Sequence, residues 1–120
     1  MHELSVAQNI VEIVEQYVPA HERQNVRSVR VRVGDLSGVV RDSLEFCFSA
    51  ATAGTPLASA HLQTERVAFK LHCDACGEER ETEAGLALCP ACGSFSTRVI
   101  AGNELHVVDI ELAEEGVERS

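Results

Sequence analysis

The chain has 120 residues and a formal net charge of −9, room for one ordinary domain or for a smaller one carrying an insert. That charge argues against a nucleic-acid partner, because neutralising phosphates takes a surplus of Lys and Arg. No apolar run approaches the ~20 residues that cross a bilayer, and no basic, apolar leader opens the chain, so a cytoplasmic protein with no membrane partner is expected.

The chain starts Met1-His2-Glu3. Trimming of an initiator Met usually needs a small second residue, so His2 is expected to leave Met1 in place. The α-amine, the His2 backbone nitrogen and the His2 imidazole can then close adjacent chelate rings on one ion. Such a nitrogen-rich, near-planar set suits Ni(II) or Cu(II) better than Mg or Ca. Glu3 can add an oxygen, or hydrogen-bond a ligand. A His at this position is more often an exposed side chain without a partner, and the residues alone leave both readings open.

A first helix follows. Leu4, Ala7, Ile10, Val11, Val14 and Val18 recur at three- and four-residue spacings, with Gln8, Glu12, Glu15 and Gln16 opposite. Ser5 with Gln8 fits a capping box, and Pro19 stops the helix. Val29, Val31 and Val33 alternate with Arg30 and Arg32, which predicts a half-buried strand with a basic outer face. Gly34-Asp35 and Ser37-Gly38 make a loop. A second helix is expected to open at Asp42 with Glu45 completing a cap. It would bury Leu44, Cys47, Phe48 and Ala51 and close at Gly54 and Pro56. Cys47 reads as a small core hydrophobe, without a nearby base to make it a catalytic thiol.

Leu62 to Leu71 reads as one strand whose phase breaks near Arg66, as a bulge would produce. Then comes Cys73-Asp74-Ala75-Cys76-Gly77 and, twelve residues on, Cys89-Pro90-Ala91-Cys92-Gly93. Two Cys-x-x-Cys pairs are what a tetrahedral four-thiolate zinc site needs, and each Gly tolerates the positive φ of such a turn. Disulfides and a dithiol redox centre are the alternatives, but a redox motif needs only one pair. A closed four-sulfur site has no open position, so the zinc would be structural. After Lys70 acids outnumber bases eleven to three; Glu78, Glu79, Glu81 and Glu83 read as a solvated loop. Asn103 to Leu112 reads as a third strand. His61 and His106 fall inside strands and are not expected to be ligands, while His72, beside Cys73, could assist the site from outside or stand in as a ligand.

These elements predict an α+β fold: two helices on a small three-stranded mixed sheet, with an inserted zinc-ribbon domain. The base would comprise residues 1–70 plus 100–120 and the insert residues 71–99. The segment between Val29 and Leu71 would make a right-handed parallel crossover.

Met1-His2-Glu3-Leu4-Ser5, Val33 to Gly38 (Val-Gly-Asp-Leu-Ser-Gly), Gly54-Thr55-Pro56, both cysteine pairs and Gly102-Asn103-Glu104-Leu105 occur together in one order and spacing. In this the chain resembles the HypA/HybF family from Met1 to about Leu112. The resemblance implies a cytoplasmic nickel metallochaperone for [NiFe]-hydrogenase and, in some organisms, urease, and no enzymatic activity. It implies nickel at Met1, His2 and Glu3, and zinc at Cys73, Cys76, Cys89 and Cys92. It also implies a HypB-type GTPase and a hydrogenase large-subunit precursor as partners; a monomer and a weak or swapped dimer both remain open. The loop that often carries an acid near the family's nickel site reads Val39-Val40-Arg41 here, with Asp42 two positions after Val40. The rival readings are a zinc-ribbon docking adaptor with no nickel role and a thiol oxidoreductase using one Cys-x-x-Cys pair.

Overall fold

The structure, a computed structural model, describes residues 3–83 and 85–113. In chain order these form α1 (Glu3–Tyr17), a 3₁₀ segment (Ala20–Asn25), β1 (Val26–Gly34), a short 3₁₀ turn (Asp35–Ser37) and α2 (Arg41–Thr52). Six strands in all are completed by β2 (His61–Val67), β3 (Lys70–Cys73), β4 (Glu79–Glu81), β5 (Thr97–Ala101) and β6 (Leu105–Leu112), as counted among the described residues. They make two three-stranded sheets, ordered β2-β1-β6 and β4-β3-β5.

In the first sheet β1 is central. Its Gly34 N–H donates to the Glu104 carbonyl at 2.7 Å, while the Ala113 N–H donates to the Asn25 carbonyl at 2.7 Å. Partners that advance on one strand and retreat on the other mean that β6 runs antiparallel to β1. Beside β2 the sense is opposite: Arg30 meets Glu65 and Asp35 meets Arg66, so the carboxyl-terminal ends of β1 and β2 lie together. The sheet is therefore mixed, and β1–α2–β2 is a parallel crossover, as expected.

The chain divides into two compact units. The first takes Met1–Val31, Val39–Glu65 and Val107–Ser120. Within it α1 packs on α2, and Val6, Ala7, Ile10 and Val14 of α1, with Val18 just past its end, are buried along with Val26, Val29 and Val31 of β1 and Leu44 and Phe48 of α2. The apolar stripe on α1 is turned slightly from the expected one. Val6 is in the core, whereas Leu4 is 48% exposed and lines an open cleft with Val11, Ala50 and Ala51. Both expected capping boxes are absent. The helix already includes Glu3, which places Ser5 inside the first turn and not ahead of it. α2 is capped at Val40, which has no side-chain acceptor, and Glu45 instead accepts the Thr64 hydroxyl at 2.6 Å. The carboxyl end of α1 is closed from beyond the helix: Arg23 Nε donates to the Val18 carbonyl at 3.1 Å and its Nη2 to the Glu15 carbonyl at 2.9 Å.

The second unit takes Arg32–Gly38 and Arg66–His106. The expected insert, residues 71–99, lies wholly inside it. The strand expected from Leu62 to Leu71 is two strands in different sheets, separated at Ala68-Phe69. Its broken phase marks a change of sheet and not a bulge, because Leu62 is buried in one sheet while Phe69 and Leu71 are buried with the other. β3 is the centre of the second sheet, antiparallel to β4 and β5, with an irregularity in the β5 register between Lys70 and Leu71. The bidentate Arg66–Asp35 pair, at 2.8 and 2.6 Å, fastens the turn after β1 to the end of β2.

Candidate metal centres

Each cysteine pair sits on a tight turn built the same way. In the first, the Gly77 N–H donates to the Cys73 carbonyl at 2.8 Å and the Cys73 N–H to the Glu78 carbonyl at 2.9 Å. In the second, Gly93 donates to Cys89 at 2.9 Å and Cys89 to Ser94 at 2.9 Å. Gly77 and Gly93 have φ of 73° and 74°, a left-handed conformation that a side chain would oppose. The sequence spacing therefore folds into two matching knuckles.

The four sulfurs converge. All lie within 4.8 Å of one another, with Cys73 and Cys89 buried and Cys76 and Cys92 exposed. Cys73 Sγ is 3.5 Å from Cys92 Sγ, and Cys76 Sγ is 3.9 Å from Cys89 Sγ. A metal bonded to four thiolates at ~2.3 Å in a tetrahedron sets its sulfurs about 3.8 Å apart. The knuckles already present that spacing, which is nearly twice the ~2.05 Å of a disulfide.

The electrostatics favour thiolates. The Cys89 thiol is lowered from 9.0 to about 6, first by the backbone N–H of Cys92, with further help from the Ala91 N–H and the Cys92 and Cys73 thiols; burial opposes the shift. Arg80 on β4 lies against the site, its guanidinium held charged chiefly by the Cys76 sulfur. Its Nε is buried with no oxygen or nitrogen partner. A fixed cation beside four sulfurs offsets the double negative charge of a divalent tetrathiolate centre. Sequence reasoning passed over Arg80, whose only sign was a base inside an acidic run. His72 is not drawn into the cluster: its Nε2 faces Asp74 Oδ1 at 3.7 Å, and Arg98 reaches the same oxygen at 3.3 Å.

Of the expected amino-terminal set, Met1 and His2 lie outside the described residues. Glu3 is the first described residue of α1 and is half-buried; its Oε2 accepts the Val40 N–H at 3.3 Å. Glu3 and the loop before α2 are thus neighbours. Asp42 is exposed in the first turn of α2. Cys47 is half-buried on α2 and unbonded to another cysteine; His61 and His106 are exposed on β2 and β6.

Comparison with known proteins gives consistent matches. A family model described as "Hydrogenase/urease nickel incorporation, metallochaperone, hypA" matches residues 1–112. The chain is similar to the hydrogenase maturation factor HypA of Geobacter metallireducens, 43% identical over 112 residues that cover 93% of this chain and 99% of the relative. It is also similar to the factor of the same name from Streptomyces avermitilis, 44% identical over 114 residues covering 92% and 86%. Among solved structures it resembles the solution structure of the Ni metallochaperone HypA from Helicobacter pylori, with a TM-score of 0.63 at 21% identity, covering 96% of this chain and 100% of the other. At that identity the likeness speaks for the fold.

Proposed function

The chain belongs to the HypA family of hydrogenase maturation and nickel-incorporation metallochaperones, and from that premise we propose that it binds Ni(II) through Met1 and His2, with Glu3 beside them, and passes it to a maturing [NiFe]-hydrogenase. In some cells the recipient would be urease. The zinc ribbon holds Zn(II) at Cys73, Cys76, Cys89 and Cys92 as a structural ion. The expected partners are a HypB-type GTPase and the hydrogenase large-subunit precursor, met in the cytoplasm. The family is one of maturation factors, not catalysts, and no described helix is long and apolar enough to cross a membrane.

The observation that carries this reading is that one family match covers the chain from Met1 through both cysteine knuckles. The chemistry agrees with the task. A terminal site with few protein donors binds moderately and exchanges readily, which suits a carrier that must give up its ion. It does not exclude Cu(II), which stands higher in the divalent series, so discrimination falls to metal supply and partner docking.

Titration of tag-free protein with nickel tests the proposal. The expected result is one zinc as purified and one added nickel per chain. His2→Ala should abolish stoichiometric nickel binding and leave zinc content intact. Residues added before Met1 should weaken binding, because the amine becomes an amide. Affinity should also fall as pH drops from about 8 to 6, where protons compete for the amine and the imidazole. A protein that carries zinc and ignores nickel would be a docking adaptor instead.

A further inference from the structure

The four knuckle sulfurs are chemically unequal, although their spacing treats them alike. They approach in two pairs that cross between the knuckles, Cys73 with Cys92 at 3.5 Å and Cys76 with Cys89 at 3.9 Å. Each pair joins one buried cysteine to one exposed cysteine, so a dissolved reagent reaches only Cys76 and Cys92. Arg80 separates these two. Its register on β4 sets it opposite Leu71, two residues before Cys73. From there its guanidinium donates a hydrogen bond to the Cys76 sulfur, and its charge acts on Cys76 and Cys89 but not on Cys92. Its buried Nε has no oxygen or nitrogen partner that would draw it away. Around Cys92 the chain reads Pro90-Ala91 before and Gly93-Ser94-Phe95 after, without a charge, and Phe95 is exposed.

We propose that Cys92 is a modification site for hydroperoxides, with Cys73 as its resolving thiolate and Arg80 as the group that spares Cys76. The proposal rests on the zinc reading above: a bound divalent ion keeps all four sulfurs as thiolates, so access and charge density decide which one reacts. A sulfur that accepts a hydrogen bond from a guanidinium has less charge to give an electrophile, as nucleophilicity falls with basicity. The exposed thiolate without such a donor attacks first. Cys92 Sγ takes the hydroxyl oxygen of the hydroperoxide: an S–O bond forms, the O–O bond breaks, and the other oxygen leaves as hydroxide or alkoxide. The Cys73 thiolate, 3.5 Å away, then attacks the oxidised sulfur; the S–S bond forms, the S–O bond breaks and hydroxide departs. Water protonates both leaving groups, and the two electrons lost by the sulfurs are those gained by the hydroperoxide. The Cys73–Cys92 disulfide withdraws two of the four metal donors, and a dithiol reverses it by exchange.

The test uses zinc-loaded, tag-free protein carrying Cys47→Ala, so that no fifth thiol competes, and equimolar hydrogen peroxide. A sulfenic-acid trap with peptide mass spectrometry reads which sulfur reacts, and a zinc-sensitive dye reads the metal set free. The trap should mark Cys92 about three- to tenfold faster than Cys76. Without the trap, one Cys73–Cys92 disulfide should form for each zinc released, and dithiol with added zinc should restore the starting protein. Cys92→Ser removes a metal donor, so Arg80→Met, which keeps all four cysteines, is the deciding variant: it should bring Cys76 up to the rate of Cys92. Cys76 reacting as fast as Cys92 in the native ribbon, or a Cys76–Cys89 disulfide as the main product, would overturn the proposal. An Arg80→Met protein that keeps the native preference would overturn it as well, by removing its cause. Zinc content before treatment tells this failure from that of the zinc reading: untreated protein without zinc would sink both, whereas a wrong site of oxidation leaves the zinc reading standing.

Discussion

The Cys89 thiol is made more acidic by the fold, and the cause is local. The backbone N–H of Cys92 stabilises its thiolate more than burial opposes it, which brings it to about 6 from 9.0. A thiol lowered on folding stabilises the fold where it is ionised in the folded chain and would be protonated in the unfolded one. That contribution is complete above about 9 and is lost as pH falls to about 6. Because the lowering needs the folded knuckle, Cys89 should titrate near the ordinary ~8.5 in metal-free, reduced protein, read as the thiolate absorbance near ~240 nm that Cys89→Ser lacks. A Cys89 thiol that still titrates at about 6 without metal would show that its knuckle folds on its own. The cysteines were legible in the sequence because their spacing alone carries the geometry. Arg80 and the Glu3–Val40 bond were not, since each depends on a neighbour that only the fold supplies. Arg23 is a third case: it lies outside α1 yet bonds the Glu15 carbonyl of the last turn and the Val18 carbonyl just past the helix end. Arg23→Ala should lower stability by about 1 kcal/mol in denaturant unfolding, whereas an unchanged midpoint would mean that water serves those carbonyls equally well.

Among the elements, helices and strands were readable where one period persisted, as in α1 and in Val29-Val31-Val33. They were misread where the chain changes sheet. Val67, Phe69 and Leu71 alternate out of phase with Leu62, and a phase break inside one apolar run reads as a bulge as readily as a change of sheet. The short strands β4 and β5 gave no signal, because three and five residues rich in exposed side chains carry no period. What ends β1 is a close backbone approach. A Cβ on Gly34 would lie 2.1 Å from the Gly102 carbonyl oxygen, and one on Gly102 would lie 2.7 Å from Phe69 Cα, at a φ of 112°. These are backbone atoms, which cannot move aside as a side-chain tip can. Gly34→Ala should therefore cost about 3 kcal/mol. Gly38 is the control: its φ of 77° is also left-handed, but nothing lies within 4 Å, so Gly38→Ala should cost only about 1–2 kcal/mol. Equal losses at the two positions would show that conformation, and not crowding, decides both.

For the whole molecule, the two units differ in what can hold them together. The first buries Val6, Ile10, Val14, Val18, Val26, Val29, Val31, Leu44, Phe48, Leu57 and Leu62. The second buries Val33, Phe69 and Leu71, and beyond these chiefly Cys73 and Cys89. Three fully buried apolar side chains contribute about 5–9 kcal/mol, while ordering a backbone costs about 1–2 kcal/mol per residue. A tetrathiolate zinc contributes about 10–16 kcal/mol on its own, so the second unit should be folded by its metal and the first by its core. Both α-helices belong to the first unit, which gives the two units separate signals. Stripping metal under reducing conditions, or substituting Cys76→Ser, should leave the helical circular dichroism nearly intact. Amide protection should be lost from β3, β4 and β5 and kept by α1 and α2, and zinc should restore the wild-type ribbon. The nickel binding proposed for the amino terminus should survive the same treatment, because α1 and α2 lie in the unit that keeps its core. Loss of the helical signal together with the metal, in one cooperative step, would mean that the first unit cannot fold without the second, and the chain would have to be treated as a single metal-dependent domain.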